Sequence, residues 1–154
     1  MSNSCHVILK GLTDTLAFGR RLADFILPGD IIFLRGDLGA GKTTLTQAIG
    51  HGLGVSSDEY ITSPTFSLLH EYAGRIPLFH MDLYRLDGED EILELGFEEY
   101  LYGDGVCIIE WPERLGDLTP KDRLDISLVA QDNSRNTTIT GYGSMASRIS
   151  SFQQ

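Results

Sequence analysis

No stretch of this 154-residue chain approaches the ~18 consecutive apolar residues that cross a bilayer, so no membrane span is expected. Cysteine is scarce. Cys5 and Cys107 fall in separate apolar segments at a spacing that fits no metal or redox motif, so both read as buried thiols in a reducing compartment. Met1-Ser2-Asn3-Ser4 has no basic stretch followed by an apolar core, so no secretion signal is expected and the cytoplasm is the expected location. His6, His51 and His70 do not cluster, which argues against zinc. Basic residues are few, 12 Lys and Arg against 22 Asp and Glu, for a net charge of −10. Phosphate contacts need Lys and Arg, so any nucleic acid would have to be held by a partner. The guanine-reading order Asn/Thr-Lys-x-Asp is missing, because Thr119-Pro120-Lys121-Asp122 places its lysine third.

What the chain does have is concentrated. Residues 36–44 read Gly36-Asp37-Leu38-Gly39-Ala40-Gly41-Lys42-Thr43-Thr44, a full match to the phosphate-loop pattern G-x-x-x-x-G-K-[ST]. Glycines let the backbone turn its N–H groups inward around a phosphate. Lys42 adds a point charge toward the β- and γ-phosphates, and Thr43 places a hydroxyl for Mg²⁺. The apolar run Ile31 to Arg35 precedes the loop as a buried strand, and Thr44 to Ile49 continue it as a helix whose positive end faces the anion.

The remaining pattern is strands alternating with helices, an α/β arrangement. Cys5 to Leu9 reads as a strand, and a helix capped by Thr13 or Asp14 runs to about Ile26. Phe66 to Tyr72 and Ile76 to Met81 read as a hairpin around Ala73-Gly74-Arg75. Asp87 to Glu99 holds seven acids and no base, in two short helical pieces split near Gly96. That stretch is either a solvated face or a docking surface for a basic partner. Val106 to Ile109 has the continuous apolar character of a central parallel strand. Leu124 to Ala130 is a further strand, with Asn136 to Thr140 as its pairing partner. One domain is expected over 1–143, with 144–154 as a tail or a short helix through Met145, Ile149 and Phe152.

A nucleotide hydrolase also needs carboxylates and a γ-phosphate-responsive group. Two apolar strands end in acids, at Asp82 and Glu110, on the sheet edge where ligands of α/β proteins bind. Either acid could instead cap a helix. In Ser63-Pro64-Thr65-Phe66, Pro64 restrains the backbone so that Thr65 can close on the γ-phosphate side, or the segment is an ordinary turn. Trp111 follows Glu110 and is a lid, a partner anchor or a core aromatic. Arg85 reaches phosphate or pairs with an acid, and His80 reads as buried with a satisfied hydrogen bond in preference to a proton-transfer role. A small-molecule or nucleoside kinase is the rival reading, weakened because only Arg114 and Arg123 follow Glu110 and form no basic lid cluster.

The phosphate loop, Ser63-Pro64-Thr65-Phe66, His80-Met81-Asp82-Leu83-Tyr84-Arg85 and Glu110-Trp111-Pro112-Glu113 occur in the order and spacing of the TsaE (YjeE) family, small bacterial phosphate-loop ATPases. The resemblance covers roughly Asp14 to Leu128. It implies a three-layer phosphate-loop NTPase fold, with mostly parallel strands and an antiparallel hairpin. It implies a role in making the threonylcarbamoyl adenosine beside the tRNA anticodon, with a protein heterodimer that carries the transferase and handles the tRNA. It also implies an ATPase that is weak alone. Carried onto this chain, residues Asp37 to Thr44 hold ATP or ADP, and Lys42 and Thr43 grip the phosphates and Mg²⁺. Glu110 is implied as a Mg²⁺ ligand, Asp82 as the Walker B carboxylate, also in the Mg²⁺ shell, Thr65 as a switch residue, and Trp111 as a neighbour of the nucleotide.

Overall fold

The computed structural model describes residues 1–152. In chain order the elements are β1 (Ser2–Leu9), α1 (Leu12–Phe25), β2 (Ile31–Arg35), α2 (Lys42–Gly52), β3 (Leu69–Tyr72), β4 (Leu78–Asp82), α3 (Glu89–Glu94) and α4 (Glu98–Leu101). There follow β5 (Val106–Glu110), a 3₁₀ segment (Pro112–Leu118), β6 (Arg123–Gln131), β7 (Ser134–Tyr142) and α5 (Ser144–Phe152). The strands form one sheet in the order β1-β7-β6-β2-β5-β4-β3. Its middle, β6-β2-β5-β4, is parallel, and antiparallel neighbours finish both edges.

The parallel centre follows from composition. All five residues of β5 and the first four of β2 are buried, so helices have to cover both faces. Side-chain alternation divides the core in two. Ile32, Leu34, Val106 and Ile108 pack with Leu22 of α1, Leu45 and Ile49 of α2, and Ile149 and Phe152 of α5. Ile31, Phe33, Cys107 and Ile109 pack on the other side with Ile92 of α3, Leu101 of α4 and Leu115 of the 3₁₀ segment. The result is three layers. Helices α1 and α2 approach closely because position 19 is glycine: a Cβ there would overlap Ala48 Cβ and sit 3.0 Å from the Ala48 carbonyl carbon.

Several boundaries differ from the sequence expectation, each for a local reason. Helix α1 starts at Leu12, ahead of Thr13, because the Asp14 carboxylate reaches back to the Lys10 N–H at 2.9 Å. Strand β3 starts at Leu69 and not at Phe66. Leu68 N–H closes a turn onto the Pro64 carbonyl at 2.7 Å, and Leu68 takes a left-handed φ of 70°. Strand β4 starts after Pro77, which has no N–H to give to the ladder. Helix α5 buries Met145, Ile149 and Phe152, and Arg148 forks onto Asp30 with both contacts at 2.8 Å. The last two residues of the expected tail, 153–154, lie outside the described residues. No helix among the described residues is long and apolar enough to cross a membrane.

Candidate functional site

Strand β2 runs into the glycine loop, and α2 begins at Lys42. Gly39 (φ 84°) and Gly41 (φ 106°) take left-handed conformations that a Cβ would penalise. Beyond the strand tips the loop floors a cleft of about 910 Å³. Asp37, Leu38, Gly39, Gly41, Lys42, Thr43 and Thr44 line it, and so do Thr65, Asp82, Glu110 and Trp111. Ala40 is the exception among the expected residues. It is buried, and its N–H is turned onto the Asp37 carbonyl at 3.0 Å.

Alternation explains why the two acids meet. His80 and Asp82 share the face of Leu78, Glu110 shares the face of Ile108, and that face is the one covered by α2. Asp82 and Glu110 are direct register partners on adjacent parallel strands. Both are nearly sealed, at 5% and 4% exposure. Glu110 is held on both oxygens: one lies 3.5 Å from Lys42 Nζ, and the other is 2.8 Å from His80 Nε2. It caps no helix. Asp82 divides its two oxygens. Oδ1 accepts the Tyr84 N–H at 3.0 Å in a local turn, while Oδ2 accepts the hydroxyls of Thr65 (3.4 Å) and Ser63 (3.5 Å).

Burial raises the Glu110 carboxyl, but the hydrogen bond and charge of His80 and the charge of Lys42 outweigh it, and the group ends below the ordinary glutamate range. His80 is fully buried, with Nε2 on Glu110 and no hydrogen-bond partner for Nδ1 among the described residues. Trp111 takes a left-handed φ of 57° at the head of the 3₁₀ segment, is 39% exposed, and lies with its ring 4.8 Å from that of Tyr84. It is neither fully buried nor free of the cleft. Among the described residues Arg85 bonds to no acid, and it does not line the cleft; its guanidinium sits 4.3 Å over the Phe66 ring.

The polar contact with the loop that sequence reasoning did not single out comes from Arg135. Arg135 of β7 donates from Nε to the Ala40 carbonyl (2.8 Å) and from Nη2 to the Gly39 carbonyl (3.4 Å), and it lines the cleft. It lies in a strand with no motif around it, and only the β6–β7 pairing brings it to the loop.

No three His, Cys, Asp or Glu gather into a metal cage among the described residues. The two carboxylates and the Thr43 hydroxyl form an all-oxygen set, which suits a hard cation that keeps water and phosphate oxygens as its other ligands.

A three-layer sheet with a glycine loop entering a helix, facing two acids on neighbouring strand tips, defines a phosphate-loop α/β protein. A model of the family described as threonylcarbamoyl adenosine biosynthesis protein TsaE matches residues 9–138. The chain is 43% identical over 132 residues to the tRNA threonylcarbamoyladenosine biosynthesis protein TsaE of Bacillus subtilis, covering 84% of this chain and 81% of that one. It is 40% identical over 133 residues to the protein of the same name from Treponema pallidum, covering 86% and 97%. The crystal structure of Bacillus subtilis YdiB superposes with a TM-score of 0.82 at 34% identity, over 99% of this chain and 96% of that one. The chain belongs to the TsaE family.

Proposed function

We propose that this chain is an ATP-binding and ATP-hydrolysing accessory protein required for threonylcarbamoyladenosine modification of tRNA. It acts in the cytoplasm beside a heterodimeric threonylcarbamoyltransferase complex. The observation that carries the nucleotide reading is the pairing of Asp82 with Glu110 as direct register partners, opening onto the cleft that the phosphate loop floors. The names of the relatives supply the pathway. They describe no transfer to a small acceptor, so the kinase reading gains nothing from them.

In this reading the amides around Lys42 cradle the phosphates of ATP or ADP, and the Lys42 ammonium neutralises the β- and γ-oxygens. Thr43, Asp82 and Glu110 would hold Mg²⁺. The ion held there would supply positive charge against the negative charge developing on the transferring phosphoryl group. His80 orients Glu110 by fixing one of its oxygens. The Thr65 hydroxyl, now on Asp82, turns toward the γ-phosphate when triphosphate is present and is released after hydrolysis. Trp111 closes beside the nucleotide or anchors the partner. Hydrolysis is slow in the isolated chain and quickens in the complex. With a net charge of −10 the chain leaves tRNA binding to the partner.

The test is reconstitution of the modification from the transferase complex, tRNA and ATP, with and without this chain. Product that depends on the chain, and that is lost with Lys42→Ala and Glu110→Ala, supports the proposal. Equal product without the chain would remove it.

A further inference from the structure

Residues 62–67 form the segment that carries Ser63 and Thr65 over Asp82. Both ends of this segment converge on one side chain of β3. His70 Nε2 lies 2.7 Å from the Ser67 hydroxyl, while Nδ1 lies 3.3 Å from the Thr62 carbonyl and 3.2 Å from the Tyr72 hydroxyl. The Tyr72 oxygen in turn accepts the Thr62 N–H at 3.3 Å. The ring of contacts closes in either tautomer of the imidazole. With the proton on Nδ1, His70 donates toward the Thr62 carbonyl and accepts from Ser67. With the proton on Nε2, it donates to Ser67 and accepts from Tyr72, whose oxygen still holds Thr62.

The base of the segment is also tied to the phosphate-loop helix, because Gln47 of α2 donates to the Ile61 carbonyl at 2.8 Å. At the far end, Leu68 sits in a left-handed conformation and accepts the Asp82 N–H at 3.0 Å. The tip is different in kind: Phe66 is 81% exposed. Pinning both ends of a short loop removes most of the conformations its middle would otherwise sample. None of the clasping groups, His70, Tyr72 or Ser67, lines the cleft; they reach the site through the segment they hold and, for His70, through its register partner His80 on β4, whereas Ser67 touches only the segment's end and its His70 clasp.

We propose that His70 is a positioning residue that clasps the two ends of segment 62–67 and so keeps Thr65 on the side of the cleft that receives the terminal phosphate of a nucleoside triphosphate. The inference rests on the reading of Thr65 as the γ-phosphate-responsive hydroxyl. The clasp sets how strongly the protein prefers triphosphate over diphosphate, because the hydroxyl it positions, Thr65, is the one that answers to the terminal phosphate.

The experiment measures Mg²⁺-dependent binding of a non-hydrolysable ATP analogue and of ADP to the full chain and to His70→Ala, His70→Gln, Ser67→Ala and Thr65→Ala. His70→Ala and Ser67→Ala are expected to weaken the analogue roughly three- to tenfold, the range of one or two net hydrogen bonds, with ADP unchanged. His70→Gln, which keeps a donor and an acceptor, is expected to recover part of the preference. Ser67 is exposed, so Ser67→Ala carries the test even if His70→Ala fails to fold. Equal weakening of both ligands, or no weakening of either, overturns the clasp. If Thr65→Ala loses the preference while both clasp variants keep it, the clasp fails and the switch reading stands. If Thr65→Ala keeps it as well, the switch reading fails and the clasp goes with it.

Discussion

Glu110 is held on both oxygens, with His80 on one and Lys42 on the other. Its carboxyl is lowered in the folded state, so it binds protons less readily there than in the unfolded chain. The sign follows: its contribution to stability is complete above the ordinary value of 4.5 and is lost as pH falls through the lowered one. Unfolding free energies of the wild type and Glu110→Gln, compared across pH, should therefore differ by a constant amount above about pH 4.5 and converge below it. A gap that widens on acidification would contradict the arrangement. Cys107 gives an independent check. Burial pushes its thiol up to about 12, and its S–H points at the Tyr100 carbonyl, 3.1 Å away. A thiolate is the reactive form, so Cys107 should resist alkylation at pH 8 in the native protein and react once the chain is unfolded, as peptide mass mapping would show.

Among the elements, the contact between α1 and α2 depends on an absent methyl group. Gly19→Ala raises helix propensity by up to about 1 kcal/mol, yet it forces a Cβ against Ala48, where the near atoms include backbone at 3.0 and 3.1 Å that cannot rotate away. Overpacking should win by about 1 kcal/mol, lowering the melting temperature by roughly 2–4 °C in a thermal scan. Because α2 begins at Lys42, the same variant should also weaken nucleotide binding. How far such elements could be read in advance depended on how local their causes are. Strand β2, the glycine loop and α2 were legible because the apolar run, the glycines and the lysine are contiguous. Asp82 and Glu110 were legible because each ends an apolar strand. The start of β3 was not, since the turn at 64–68 overrides residues that suit a strand. Arg135 was not either: its partner carbonyls lie 95 and 96 positions away, and no periodicity reports a contact made by sheet pairing. The paired roles of His80 and Glu110 needed the register, because the two residues are 30 positions apart.

The whole molecule should respond to nucleotide as one unit, since the cleft is built from β2, β4, β5, α2 and the β7 arginine together. A ligand at 100 times its Kd adds about 2.7 kcal/mol, which for a chain of this size raises the melting temperature by roughly 5–11 °C. Mg-ATP or Mg-ADP should give that shift, GTP should give little, and Lys42→Ala should give none. Equal shifts with GTP and ATP would remove the adenine preference. Trp111 makes the same event visible without heating. It is the chain's one tryptophan, half-sheltered at the rim with its ring tilted against that of Tyr84, so all indole emission originates beside the phosphate-loop cleft. Each filling or emptying of that pocket, and each contact made by a docking protein at its mouth, should register as a change in colour or brightness, with no dye attached.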